Sequence, residues 1–273
     1  MAQVENAPPS IAIKIVFCGP FGSGKTTNLH QLYARLNDRY RSRMLSLDPT
    51  QTTDAELLYH TRPVDACHHP TMFFDLLPIV LHLAGVRVVL RLLAGPGHVM
   101  HDHTRRLLLR GADGIVFVAD SQRPPEENEQ ALIGVRTNLR DNGLAPDTLP
   151  MVIQLNKGEL KAVKTDAAAA RRLLGHRADI HLVPASAKAG VGVVETLLRL
   201  LTGVWPALLH EHDVLAASEL DLAALLRELG RNLNAGEQVR ALSEAPLRSA
   251  GDDAAALASP PALVAAPGGA TFR

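Results

Sequence analysis

Short apolar runs and amphipathic stretches alternate along most of this chain. Ile11–Cys18 is mostly apolar and β-branched, which predicts a strand, and from Lys25 to about Asn37 Leu29, Leu32, Tyr33 and Leu36 recur at helical spacing. Tyr40–Leu47 begins basic and turns apolar, as a short edge strand would. Asp48–Pro70 is irregular and rich in Thr and Pro, and a connection that long is uncommon unless functional. Phe73–Leu83 and Val86–Leu93 flank Ala84-Gly85 and read as a hairpin. Ala94-Gly95-Pro96-Gly97 ends the second of these strands. There follow a short helix at Thr104–Arg110, a buried strand at Ile115–Ala119 and a helix at Pro125–Asn142 striped by Leu132, Val135 and Leu139. Met151–Leu155 and Ile180–Val183 are strands, with a helix at Asp166–Leu174 between them. Val191–Leu201 is the last helix of this pattern.

Strand alternating with helix predicts an α/β fold with three layers, a mostly parallel sheet covered on both faces and one antiparallel edge strand. Such sheets bind ligands beyond the carboxyl ends of their strands. Four loops follow strand ends here and would share one rim: Gly19–Thr26, Ala94–Gly97, Asn156-Lys157 and Ser186-Ala187-Lys188. After Pro206 the composition shifts. The expected division is a flexible tail at 1–10, the α/β domain at 11–206, a helical extension at 207–240 and a disordered Ala/Pro-rich tail at 241–273. Within the extension, Ser218 is the expected N-cap of a helix reaching Leu229.

The 47% hydrophobic content is enough for a full core. Lys+Arg and Asp+Glu both number 28, so the chain lacks the basic excess of a general nucleic-acid binder. Two cysteines, Cys18 and Cys67, cannot form a disulfide framework, and a reducing, cytoplasmic setting fits. No uninterrupted run of 18 apolar residues appears, Ala2 stands where myristoylation needs glycine, and the last residues are no prenylation box. No direct membrane anchor is therefore expected.

The chemistry is concentrated in Gly19-Pro20-Phe21-Gly22-Ser23-Gly24-Lys25-Thr26, which fits the phosphate-binding pattern G-x-x-x-x-G-K-S/T. Glycines let backbone N–H groups wrap an anion, Lys25 supplies positive charge to the β- and γ-phosphates, and Thr26 offers a hydroxyl to Mg²⁺. Thr27 follows on the same helix start. A strand before and a helix after place the phosphates at a helix N-terminus, where the dipole favours anions. Asn156-Lys157-Gly158-Glu159 suits guanine, whose N1–H and exocyclic amine form a donor pair that one carboxylate accepts. The histidines His68, His69, His98, His101 and His103 fall in loops with no Cys-x-x-Cys beside them, a weak zinc pattern.

In order and content, these segments resemble the Ras-like small GTPases, and more narrowly the MglA type, the mutual gliding-motility switch. The narrower resemblance rests on Gly24–Leu29, Phe73–Pro78, Arg110–Ser121 and Val152–Lys157, and it spans residues 11 to about 204. It implies a P-loop NTPase fold, GTP and GDP as ligands with Mg²⁺, and slow GTP hydrolysis that controls polarity or motility. It also implies an MglB-like, Roadblock-fold dimer as activator and effector proteins that read the nucleotide state. Residue by residue it implies nucleotide contacts from Gly19, Phe21, Gly22, Ser23, Gly24, Lys25, Thr26, Thr27, Asn156, Lys157, Glu159, Ser186, Ala187 and Lys188. It implies a threonine of the long loop beside Thr26 at the metal: Thr71, just before Phe73-Phe74-Asp75, is the candidate, with Thr50, Thr52, Thr53 and Thr61 as rivals, and Asp75 on the neighbouring strand could take over as the acid near the metal-bound waters. Gly97 would present its N–H to the γ-phosphate, and His98 takes the position of the residue that orients the attacking water. Lys25, Gly97 and His98 are thus the expected catalytic group.

The chain departs from the family pattern in four places. Pro70 stands where MglA-type proteins carry an arginine before the threonine, and Arg62 is the nearest arginine on that side. Ala94 replaces the usual metal-side residue, His98 the glutamine, and Glu159 the aspartate. Pro70, Ala94 and His98 motivate the rival reading of a non-hydrolysing nucleotide-binding scaffold. Glu159 is the only support for an ATP-using alternative.

Overall fold

Strands apolar on both sides are stable only between two layers, and the chain supplies the helices that cover them. The computed structural model describes residues 8–37, 43–47, 62–63, 74–95, 102–160, 163–174, 177, 179–213, 215 and 218–244. The strands are β1 (Ser10–Cys18), β2 (Leu45–Leu47), β3 (Arg62–Pro63), β4 (Phe74–Leu83), β5 (Val86–Ala94), β6 (Gly114–Asp120), β7 (Met151–Asn156) and β8 (His181–Pro184). The helices are α1 (Lys25–Arg35), α2 (Asp102–Leu109), α3 (Pro125–Asp141), α4 (Ala167–Leu174), α5 (Val193–Glu211), α6 (Leu222–Asn232) and α7 (Gly236–Glu244).

One sheet runs β3-β2-β4-β5-β1-β6-β7-β8. From β5 through β8 every pairing is parallel, and β4 runs antiparallel to β5 from Asp75↔Ala94 to Leu83↔Val86. The turn between them places Ala84 at φ 46° and Gly85 at φ 74°. The fold is the Ras-like α/β/α P-loop architecture, with more at the antiparallel end than the pattern promised. β4 is not itself the edge, because β2 pairs with it and β3 pairs with β2, both antiparallel. Arg62 therefore lies on the outermost strand, with β2, β4 and β5 between it and β1.

Alternation along the strands splits the core in two. Ile11, Ile13, Ile15 and Phe17 of β1 face the layer of α1, α5, α6 and α7, together with Leu29, Leu32, Leu197 and Leu201. Val16 and Cys18 face α2, α3 and α4, with Leu108, Leu132, Leu139 and Ala170.

The C-terminal boundaries differ from the expected ones. The helix expected to end at Leu201 begins at Val193 and runs to Glu211, straight through Pro206, so a division at 206 falls inside it. Its apolar face continues past the proline, with Val204, Trp205 and Leu208 all buried, and that packing outweighs the lost N–H. By length and hydropathy α5 could cross a bilayer, yet just over half of that window, 56%, is buried inside the protein. The cap of the next helix is Asp221, which accepts from the Ala224 N–H at 2.6 Å, whereas Ser218 donates its hydroxyl to Leu215 O. The extension is no appendage: Leu220, Leu225, Leu229, Leu233 and Val239 join the same core as α1 and α5. Asn234 Nδ2 and the Asn37 N–H reach across to Arg35 O and Asn232 O, tying α6 to the end of α1. Helix α7 reaches Glu244, four residues into the stretch expected to be disordered.

Candidate functional site

The phosphate loop turns through three left-handed glycines, Gly19 (φ 140°), Gly22 (φ 73°) and Gly24 (φ 100°). Two of them also need the missing Cβ. On Gly19 it would lie 2.2 Å from Val118 O, and on Gly24 2.3 Å from Asn156 Nδ2. Nothing lies within 4 Å of a Cβ on Gly22, so the outer side of the loop is open. Phe21 at the loop tip is half exposed, and its carbonyl accepts from Arg123 at 3.0 Å. The Ser23 hydroxyl is buried with no hydrogen-bond partner. Thr27 is exposed on the first turn of α1.

Lys25 is 7% exposed, and its ammonium donates to Pro20 O (2.7 Å) and Gly19 O (3.1 Å). Burial pulls its pKa down to about 8, helped by the cations Arg105, Arg123 and Lys157 and opposed by Cys18. Burial likewise pushes the Cys18 thiol up to about 12. A small pocket beneath the loop brings Cys18, Gly19, Lys25, Gly95 and Arg105 together.

Thr26 donates its hydroxyl to Asp75 Oδ2 at 2.7 Å, from the first turn of α1 to the start of β4. A hydroxyl and a buried carboxylate are hard oxygen donors, the set Mg²⁺ prefers, so these residues fit that ion. The structure thus joins the two described members of the expected metal group. Thr71, Gly97 and His98, like Pro70, lie outside the described residues. So do His68, His69, His101 and Cys67. Among the described residues no cluster of His, Cys, Asp or Glu could hold a metal by itself.

The loops after β7 and β8 meet the phosphate loop through one side chain. Asn156 Nδ2 donates to Ser23 O (2.7 Å), and Asn156 Oδ1 accepts from the Ala187 N–H (2.7 Å). Lys157 takes the left-handed conformation (φ 66°) and its ammonium pairs with the buried Asp120 carboxylate at 2.7 Å. Glu159 sits exposed on the turn that follows, which is closed by Leu160 N–H to Lys157 O. Ser186 and Ala187 are buried and Lys188 is exposed; reciprocal backbone bonds between Ser186 and Val191 close their loop.

Sequence reasoning missed the residues that hold this rim together. Asp120 anchors Lys157 and also draws Arg123 to 3.6 Å, while Asn128 clamps both the N–H and the carbonyl of Asp120. The available signal was a carboxylate closing an otherwise apolar strand, Val116–Asp120, where only a paired charge is tolerated in the interior. Asn28 and Gln154, polar residues on buried faces, carry the same signal.

A glycine loop between the central strand and its helix, an Asn-Lys turn on the same rim and a Thr–Asp pair beside the lysine define a small GTPase of the Ras-like class. No protein-family model matches the chain. Over 199 residues it is 36% identical to the mutual gliding-motility protein MglA of Myxococcus xanthus, an overlap of 72% of this chain and 92% of that protein. The chain belongs to the MglA family.

Proposed function

We propose that this protein is a cytoplasmic GTP-dependent switch that acts in gliding motility or cell polarity. It holds GTP or GDP with Mg²⁺ and hydrolyses GTP slowly. The observation that carries the reading is the double hydrogen bond of Asn156, which locks the loop suited to phosphates against the loops suited to a purine base. Lys25 holds the β- and γ-phosphates, and the N–H groups of the glycine loop take the remaining phosphate oxygens. When bound through Thr26, Asp75 and Thr71, Mg²⁺ neutralises phosphate charge. Glu159 accepts the guanine donor pair, while Ser186, Ala187 and Lys188 line the base.

Catalysis in this class is mostly positioning and electrostatics. His98 orients the attacking water through a neutral ring nitrogen, and Gly97 offers its N–H to the γ-phosphate. Pro70 brings no charge, and an arginine in that role is worth roughly 10³–10⁵ in rate. Intrinsic turnover is therefore slow, and a Roadblock-fold dimer is the fitting activator, with effectors that bind only the GTP form.

Single-turnover GTP hydrolysis tests this. Wild-type protein should hydrolyse slowly, and faster at pH 8 than at pH 6, because only a neutral imidazole can accept a hydrogen bond from the attacking water. His98→Ala should abolish both the rate and its pH dependence, and Pro70→Arg should raise the rate. Tight GTP binding with no turnover, alone or with the Roadblock dimer, would favour the scaffold reading instead.

A further inference from the structure

Strand β7 carries two polar residues on its α1/α5 face, Gln154 and Asn156, which period-2 geometry places side by side. Asn156 makes the loop-to-loop bond already described. Gln154 is completely buried, and burial of an amide is tolerated only when it is hydrogen-bonded. Its partners form a second, deeper bracket parallel to the first. Gln154 and Asn28 exchange reciprocal amide bonds, both 2.8 Å. Asn28 Nδ2 also donates to Gly24 O at 2.9 Å, the phosphate-loop residue before Lys25. In the other direction Gln154 Nε2 donates to Thr196 Oγ1 at 3.0 Å, and Thr196 donates to Gly192 O at 2.6 Å, where the loop after β8 enters α5. Asn28, Gln154 and Thr196 are each 0% exposed.

Helix α1 extends the same seam towards the surface. Gln31 Nε2 donates to Lys188 O (3.3 Å) and Arg35 to Gly190 O (3.0 Å), so positions 31 and 35, on the same side of α1 as Asn28, reach the loop after β8. Gly190 is left-handed (φ 72°), and a Cβ there would lie 2.8 Å from Gln31 Oε1, so this contact is close on both sides.

We infer that Asn28, Gln154 and Thr196 form a buried bracket that sets the spacing between the phosphate-binding and base-binding halves of the nucleotide site. They are positioning residues: none reaches the ligand, and they act through Gly24 and the loop entering α5. Two amides and a hydroxyl, satisfied by one another and by the carbonyls of Gly24 and Gly192, have one low-energy arrangement, whereas an apolar core of the same volume would tolerate sliding. The inference rests on the reading of this rim as a guanine-nucleotide site.

The test is release of N-methylanthraniloyl-GDP from the full-length chain, with melting temperature recorded beside it. Thr196→Val keeps the volume and removes the hydroxyl; Thr196→Ser keeps the hydroxyl and removes a methyl. The bracket predicts release about fivefold or more faster in Thr196→Val and within twofold of wild type in Thr196→Ser. Asn28→Leu/Gln154→Leu replaces the amide pair by apolar groups, a change that can be nearly neutral for stability. It should melt close to wild type yet release nucleotide at least tenfold faster. Leu139→Ala, on the opposite core, controls for lost stability and should leave release unchanged. Should the double variant not fold, the two Thr196 variants decide. Release equal in both Thr196 variants, or a folded double variant that holds nucleotide as wild type does, overturns the bracket. Wild-type protein that holds no guanine nucleotide overturns the reading of the site itself, a separable result.

Discussion

Gly24→Ala adds one methyl where the structure leaves no place for it. The left-handed φ of 100° is strained for any residue with a Cβ, by about 1–2 kcal/mol. The new carbon would lie 2.3 Å from Asn156 Nδ2 and 3.8 Å from Ala187 Cβ, so the Asn156 side chain has to move. It cannot do so while keeping both of its 2.7 Å bonds, to Ser23 O and from the Ala187 N–H. Each of those contributes about 0.5–1.5 kcal/mol. The sum is about 2–5 kcal/mol, which for a domain of this size lowers the melting temperature by about 5–15 °C. The site is affected more than the fold, because the displaced group joins its two halves. Differential scanning fluorimetry and GDP titration on the same sample should show the lower melting temperature together with about a 100-fold weaker Kd. A Gly24→Ala protein that melts within about 2 °C of wild type and binds GDP normally refutes the reasoning about both strain and joint.

Three other predictions follow from the same geometry. Asp75→Asn removes the anionic oxygen facing Thr26, so Mg²⁺ should slow GDP release about tenfold less than in wild type, with release in EDTA unchanged; release rates across a Mg²⁺ titration check this. Lys25 in the free protein loses its proton near pH 8, and bound phosphates would raise that pKa, so binding takes up a proton above pH 8. GDP affinity should therefore fall several-fold between pH 7 and pH 9, a dependence that Lys25→Met, weaker throughout, should lack in a calorimetric titration. Truncation after Glu244 should leave the melting temperature within about 2 °C, whereas truncation after His212 strips Leu220, Leu225, Leu229, Leu233 and Val239 from the core and should prevent cooperative unfolding in a thermal melt.

The sheet and the phosphate loop were legible because their signals are local. A run such as Ile115–Ala119, apolar on both sides, has few alternatives to a central parallel strand, and Gly19–Thr26 needs no partner to be recognised. The start of the extension and its packing are less legible, for the opposite reason. Pro206 reads locally as a helix end, but the apolar stripe across Val204, Trp205 and Leu208 overrides it in three dimensions. Leu225 and Leu229 belong to the domain core only because β4, α1 and α5 leave a face for them, which no window of sequence displays. In the site, Asn156 and Lys157 were found by their adjacency, while Asp120 is 37 residues from the lysine it anchors. Gln154 lies 126 residues from Asn28, and a polar residue in a buried strand gives no hint of where its partner lies.

The central claim is that this rim selects a guanine nucleotide, and competition measures it most directly. Protein loaded with N-methylanthraniloyl-GDP should lose the label to micromolar GTP and keep it at a 100-fold higher concentration of ATP. Displacement by ATP at the same concentration as GTP, or no retention of labelled GDP at all, contradicts the account.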